Sequence, residues 1–214
     1  MKMVSKAENF FTPEEKERLK VKTKEVESRT IGEVVVMVLD RSDHYVEAEI
    51  LGGVLLGSLL SLILTLLFFH SSIWSYVPLC FVFFFPCRLL FRRADAMKKL
   101  FIGIQRKEEA VRRRAERAFF ERGLYKTKKN TGVLFFLSLL ERKIWILADK
   151  GIYEKMSQET LDRFAGDVSR GIKEGRTCEV LSQAIEEVGV LLARHFPVTP
   201  DDTDELPDGV MTGD

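Results

Sequence analysis

Beginning at Ile50 and closing at Phe69, twenty consecutive residues carry no charge. At a rise of about 1.5 Å per residue, a helix of that length spans roughly 30 Å, the hydrocarbon thickness of a bilayer. A core helix of a soluble domain would carry a polar stripe. This run offers only Ser58, Ser61 and Thr65, whose hydroxyls can bond back to their own helix. A second apolar run begins at Ile73 and closes at Phe91, and its charge-free part ends at Cys87. Arg88 can snorkel to the interface, so that Leu89, Leu90 and Phe91 count towards a span. Trp74 and Tyr76 stand where an interfacial aromatic belt would lie, and Pro78 and Pro86 predict kinks. Residues 48–91 therefore read as a two-helix transmembrane hairpin, with a re-entrant second segment as the alternative.

Charge sets the expected orientation. The turn at residues 70–72 has no Lys or Arg, whereas Arg88, Arg92, Arg93, Lys98 and Lys99 follow the hairpin. By the positive-inside rule both flanks are cytoplasmic. The reading is a multi-pass protein of the cell (inner) membrane, with cytoplasmic N- and C-termini. The five cations are expected to meet lipid headgroups. Residues 1–30 contain no apolar run, so no signal peptide is predicted there. Three cysteines, two of them in the second run, suggest neither a disulfide framework nor a metal spacing.

The net charge of +1 conceals an asymmetry: residues 88–129 hold fifteen Lys or Arg against five Asp or Glu, while residues 196–214 hold six acids and no base. The latter, with three prolines, predict a disordered acidic tail over 197–214, free or docked on the 112–117 arginines. The basic middle, Arg112 to Arg114 and Lys126 to Lys129, suits nucleic acid or an anionic lipid surface. So close to an anchor, the lipid surface is the favoured partner, at about 1 kcal/mol per near-surface cation. Gly53, Gly57 and Ser61 form a small-residue ridge that either packs the two spans or pairs two copies into a homodimer.

The remaining sequence alternates helix and strand. Thr12-Pro13-Glu14-Glu15 is a capping box opening a helix to about Ser28. Residues 33–39, Glu-Val-Val-Val-Met-Val-Leu, read as a strand covered on both faces. Residues 92–122 predict one long helix, with Ala94, Met97, Leu100, Phe101, Ile104, Val111, Ala115, Ala118 and Phe119 on its apolar face and Gly123 as its stop. Residues 131–140 and 144–148 predict an antiparallel pair about a turn at 141–143. Two helices capped by Ser157 and Thr177 follow, joined through Gly175. The sum is an α/β fold: an α/β/α sandwich with a small mixed sheet, divided by its own membrane hairpin into residues 1–47 and 92–196.

Three stretches resemble the TPM domain family. They are Thr30-Ile-Gly-Glu-Val-Val-Val-Met-Val38, the hairpin sequence from Asn130 to Ile146, and the two last helices with Lys173-Glu-Gly175 between them. The resemblance implies the α/β/α fold and a membrane-associated role in the cell envelope. For some members it also implies phosphatase activity and divalent-cation binding. Where the family has an acid before its Asn-Gly, this chain has Lys129-Asn130-Thr131-Gly132, and its glycine-rich loop is replaced by residues 148–154. Asp40 and Asp149 remain as candidate catalytic acids, and Asp149 and Glu154 as candidate ligands of a divalent cation. Hard cations need several oxygens, and Lys129 and Lys150 oppose one, so no cofactor is expected. The reading favoured is a membrane-anchored, non-catalytic module that binds a membrane or cytosolic protein partner. A phosphatase acting on phosphomonoesters is the alternative.

Overall fold

The computed structural model describes residues 5–68, 73–127, 129–198 and 209–213. It comprises two compact units, one of Met1–Ser42 with Glu108–Asp214 and one of Asp43–Lys107. The inserted unit is wider than the apolar runs alone indicate.

The first unit is built on four strands: β1 (Glu33–Leu39), β2 (Gly132–Ser138), β3 (Lys143–Ala148) and β4 (Met211–Gly213), in the order β3-β2-β1-β4. β1 lies parallel to β2 and β4, and β2 pairs antiparallel with β3. All seven residues of both β1 and β2 are buried, as their unbroken apolar sequences require of strands covered on both faces. β3 alternates instead, as an edge strand with one packed face does.

One sheet face carries Val34, Val36, Val38, Phe135 and Ile146. It packs on α1 (Pro13–Glu27), α7 (Gln158–Glu174) and α8 (Thr177–His195) through Leu19, Val26, Phe164, Ile185 and Leu192. The opposite face carries Val35, Met37, Leu39, Leu134 and Phe136, covered by Val111, Ala115, Ala118 and Phe119 of α5 (Ile104–Glu121) and by Leu124. This is the expected three-layer sandwich. The capping box forms as read, with Thr12 N–H donating to Glu15 Oε2 at 2.8 Å and Glu15 N–H to Thr12 Oγ1 at 3.2 Å. Gly132 is required: a Cβ there would stand 2.7 Å from the Leu124 carbonyl oxygen.

Three expectations need correction. The helix over 92–122 is three pieces. Arg92 and Arg93 end α3 (Ile73–Arg93), and α4 (Asp95–Phe101) and α5 follow. Extended Ile102 (φ −98°, ψ 113°) and Gly103 break the helix, where glycine is a poor helix former. Thr177 is the first helical residue of α8, preceded at the cap by Arg176. The acidic tail is not disordered to its end, since Met211, Thr212 and Gly213 pair with Met37, Val38 and Leu39. Residues 199–208, which hold most of its acids, and Asp214 lie outside the described residues.

Within the inserted unit, α2 (Val46–Phe68) and α3 are both long and apolar enough to cross a membrane. Phe69 and the 70–72 turn lie outside the described residues. α3 is one helix through Pro78 and Pro86.

Candidate functional site

The two candidate acids stand at opposite ends of the sheet. Asp40 follows β1, and its carboxylate accepts from Ser5 Oγ at 2.9 Å and from the N–H groups of Lys6 and Ala7 at 3.1 and 2.6 Å. It holds the N-terminal turn. At the same end, Ser138 donates to Glu141, Ser42 Oγ pairs with Ser138 Oγ at 2.8 Å, and Ser42 N–H reaches Glu141 Oε1 at 3.2 Å. This partly buried knot ties the β2–β3 turn to the segment leaving β1.

Asp149 lies at the other end, because β3 runs against β1 and β2. Its N–H continues the ladder to Gly132 O at 2.9 Å, and Gly132 is in register with Glu33. Strand alternation therefore puts Glu33 and Asp149 in one cross-strand row on the α5 side, flanking a glycine. Sequence reading missed Glu33, which looked like a strand's first residue. Register was the missing information.

Asp149 Oδ1 caps α6 (Lys150–Tyr153), accepting from Lys150 N–H at 2.7 Å, while Oδ2 is buried without a hydrogen-bond partner. Glu154 caps the other end of α6 and is exposed. Among the described residues no three His, Cys, Asp or Glu side chains gather, and hard cations take six to eight oxygens or so. Nearby, burial first of all pushes the Tyr153 hydroxyl pKa up.

The basic stretch is partly neutralised on its own helix. Arg112 meets Glu116 at 2.8 Å and Arg114 meets Glu121 at 3.0 Å. Lys128 lies outside the described residues.

In the inserted unit the small-residue ridge of α2 receives α3. A Cβ at Gly52 would meet the Phe91 ring at 2.3 Å, one at Gly53 would meet Arg88 Cβ at 3.0 Å, and one at Gly57 would meet the Phe84 backbone nitrogen at 3.2 Å. Ser61 is fully buried and donates to Gly57 O at 2.7 Å, and Ser58 shares a hydrogen bond with Tyr76 at 2.7 Å. Close backbone approach through small residues is how helices associate in lipid. The outward faces, with Leu66, Phe81, Val82 and Phe85, are exposed. Alternation of small inward and large outward residues suits an apolar solvent.

The base of this hairpin is polar and closely bonded. Acidic Glu47 and Glu49 open α2 and basic Arg92 and Arg93 close α3, each sign favourable for its helix terminus. Lys98 of α4 is 1% exposed and bonds Glu49 Oε1 at 2.7 Å. Of the five expected headgroup contacts, therefore, Lys98 is corrected: it completes a buried ion pair. Arg92 and Arg93 are exposed, Arg88 and Lys99 half-buried.

Arg106 bonds Asp43 at 2.7 Å and Glu47 at 2.8 Å and lies 5.4 Å from the Tyr45 ring centre. Burial works to raise the Asp43 pKa. Arg106 and the His44 and Tyr45 amides outweigh it and hold the pKa below the usual carboxylate value.

Residues 98–190 match the family model described as TPM domain. The match starts beyond both apolar helices. The NMR structure of BA42 protein from the psychrophilic bacterium Bizionia argentinensis is similar, with 22% sequence identity, a TM-score of 0.61 and 100% of each chain covered. At that identity the likeness speaks for the fold. No curated protein matches the chain.

Proposed function

We propose that this chain, which carries a TPM domain, is an integral membrane protein whose TPM domain is a non-catalytic partner-binding or assembly module at the cytoplasmic face. The observation that carries this reading is the hairpin: small residues turned inward, large apolar residues turned outward, and a charged end that holds one buried ion pair. Such an outward surface is stable in lipid and costly in water, at about 25 cal/mol per Å² of apolar area. Exposed Arg92 and Arg93 at the charged end favour the cytoplasmic side.

A non-catalytic role is supported by what the acids already do. Asp40 fixes the N-terminal turn, Asp149 caps a helix, and the length of the sheet separates them. The two acids therefore cannot act together on one substrate as an acid–base pair. The protein partner is expected to be a membrane protein or a cytosolic protein, and the ridge that would pair two copies is filled by α3. The discriminating experiment offers a phosphomonoester to the full-length protein in detergent. No turnover is expected. Turnover abolished by Asp149→Ala would replace this reading with that of a phosphatase.

A further inference from the structure

Two large apolar side chains just beyond the hairpin are left in water: Leu100 at 82% and Ile104 at 72% exposed. They would have lain on the buried stripe of a continuous helix. The break at Ile102 and Gly103 instead leaves α4 as a separate short helix.

α4 is not loose. Its Phe101 ring stands edge-on to Phe91 at 5.4 Å, and its Lys98 reaches Glu49 at 2.7 Å. Phe91 lies in the last turn of α3 and Glu49 in the first turn of α2. Those contacts hold α4 level with the charged end of the two apolar helices. A seven-residue helix is only about 10 Å long, so Leu100 stays close to that level.

We propose that α4 lies in the plane of the membrane interface, with Leu100 and Ile104 inserted at the boundary of headgroups and acyl chains of an anionic lipid surface. The inference rests on the membrane reading above. Continuity with the span sets the depth. The sign of the lipid follows from Arg92 and Arg93, exposed in the adjacent turn of α3, each attracting an anionic headgroup. An interfacial helix buries its apolar side roughly 5–10 Å into this boundary. The buried Lys98–Glu49 pair then acts as the strut that sets the depth of α4.

The test uses the full chain in vesicles of mixed zwitterionic and anionic phospholipid, with Trp74→Phe and Trp145→Phe removing the native signals. Single tryptophans are introduced as Leu100→Trp, Ile104→Trp or, within α2, Leu59→Trp, an outward-facing position near the middle of the span. Each is quenched by lipid brominated either near the headgroup or near the chain end. The expected result is a blue-shifted Leu100→Trp and Ile104→Trp emission lost most to headgroup-proximal bromine, and a Leu59→Trp emission lost most to deep bromine.

A water-like, unquenched emission at positions 100 and 104, with Leu59→Trp still quenched, overturns the interfacial helix and leaves the anchor standing. Blue-shifted but unquenched emission at positions 100 and 104, with Leu59→Trp quenched, means that protein covers them and also overturns it. Loss of quenching at Leu59→Trp itself overturns both readings.

Discussion

At the scale of single residues, Lys98 and Glu49 matter most. A buried ion pair gains little over a well-packed apolar pair, but removing one partner strands the other charge. Lys98→Met should therefore destabilise the protein by about 3–5 kcal/mol, read by denaturant unfolding in detergent. Adding Glu49→Leu should restore most of that loss; a double variant as unstable as the single one would mean that the pair is not what holds α4.

Glu186 gives a milder case. It accepts from Arg29 at 2.8 and 2.9 Å and from Lys22 at 3.3 Å, joining α8 to α1. The Arg29 hydrogen bond is the main cause of its lowered pKa, against the opposing effect of burial. A lowered folded pKa stabilises above the ordinary value of 4.5, and the contribution is lost as pH falls through the lowered one. The pair is a third exposed, so about 1 kcal/mol or less is at stake. The stability gap between wild type and Glu186→Gln should close as pH falls below 4.5, and a constant gap would contradict the assignment.

At the scale of elements, the hairpin depends on closeness. Gly57 faces the α3 backbone, which cannot yield as a side chain tip would. Gly57→Leu should force the helices apart and lower the unfolding midpoint in detergent sharply. Ser58→Ala should cost only the Tyr76 hydrogen bond, about 1 kcal/mol. Equal effects of the two would contradict packing through the ridge.

β4 is the other weakly held element. Thr212→Pro should raise hydrogen exchange at Met37–Leu39 while leaving the β2–β3 ladder protected, because β2 has its own partners. Uniform protection across β1 would show that β4 contributes nothing there.

Elements were legible where their signals are local. The Thr12 box, the β-branched run of β1 and the apolar length of α2 each declare themselves within a few residues. The break at Ile102–Gly103 was not legible, since Leu100, Phe101 and Ile104 keep a helical spacing on both sides of it. Lys98 looked like one more flanking cation because its partner is forty-nine positions away. β4 was hidden for a similar reason: an acidic, proline-bearing stretch precedes it, and strand pairing at long range leaves no trace in composition. Of the candidate acids, the sequence named Asp40 and Asp149. Only register separates them and sets Glu33 in Asp149's row.

At the scale of the whole molecule, a four-stranded sheet is interrupted between two adjacent parallel strands by an apolar hairpin. Parallel neighbours always need a long crossover, so this insertion uses a connection the sheet requires anyway. It leaves the register of β1 and β2 intact over all seven pairs. On the membrane reading proposed above, the solvent preference of the inserted unit would set where the entire chain resides.

The most direct measurement is fractionation of cells producing the full chain, with membranes washed at high salt and alkaline pH before high-speed sedimentation. The protein is predicted to remain in the pellet through both washes and to be released only by detergent. Recovery of folded, monomeric protein in the detergent-free supernatant would contradict the account.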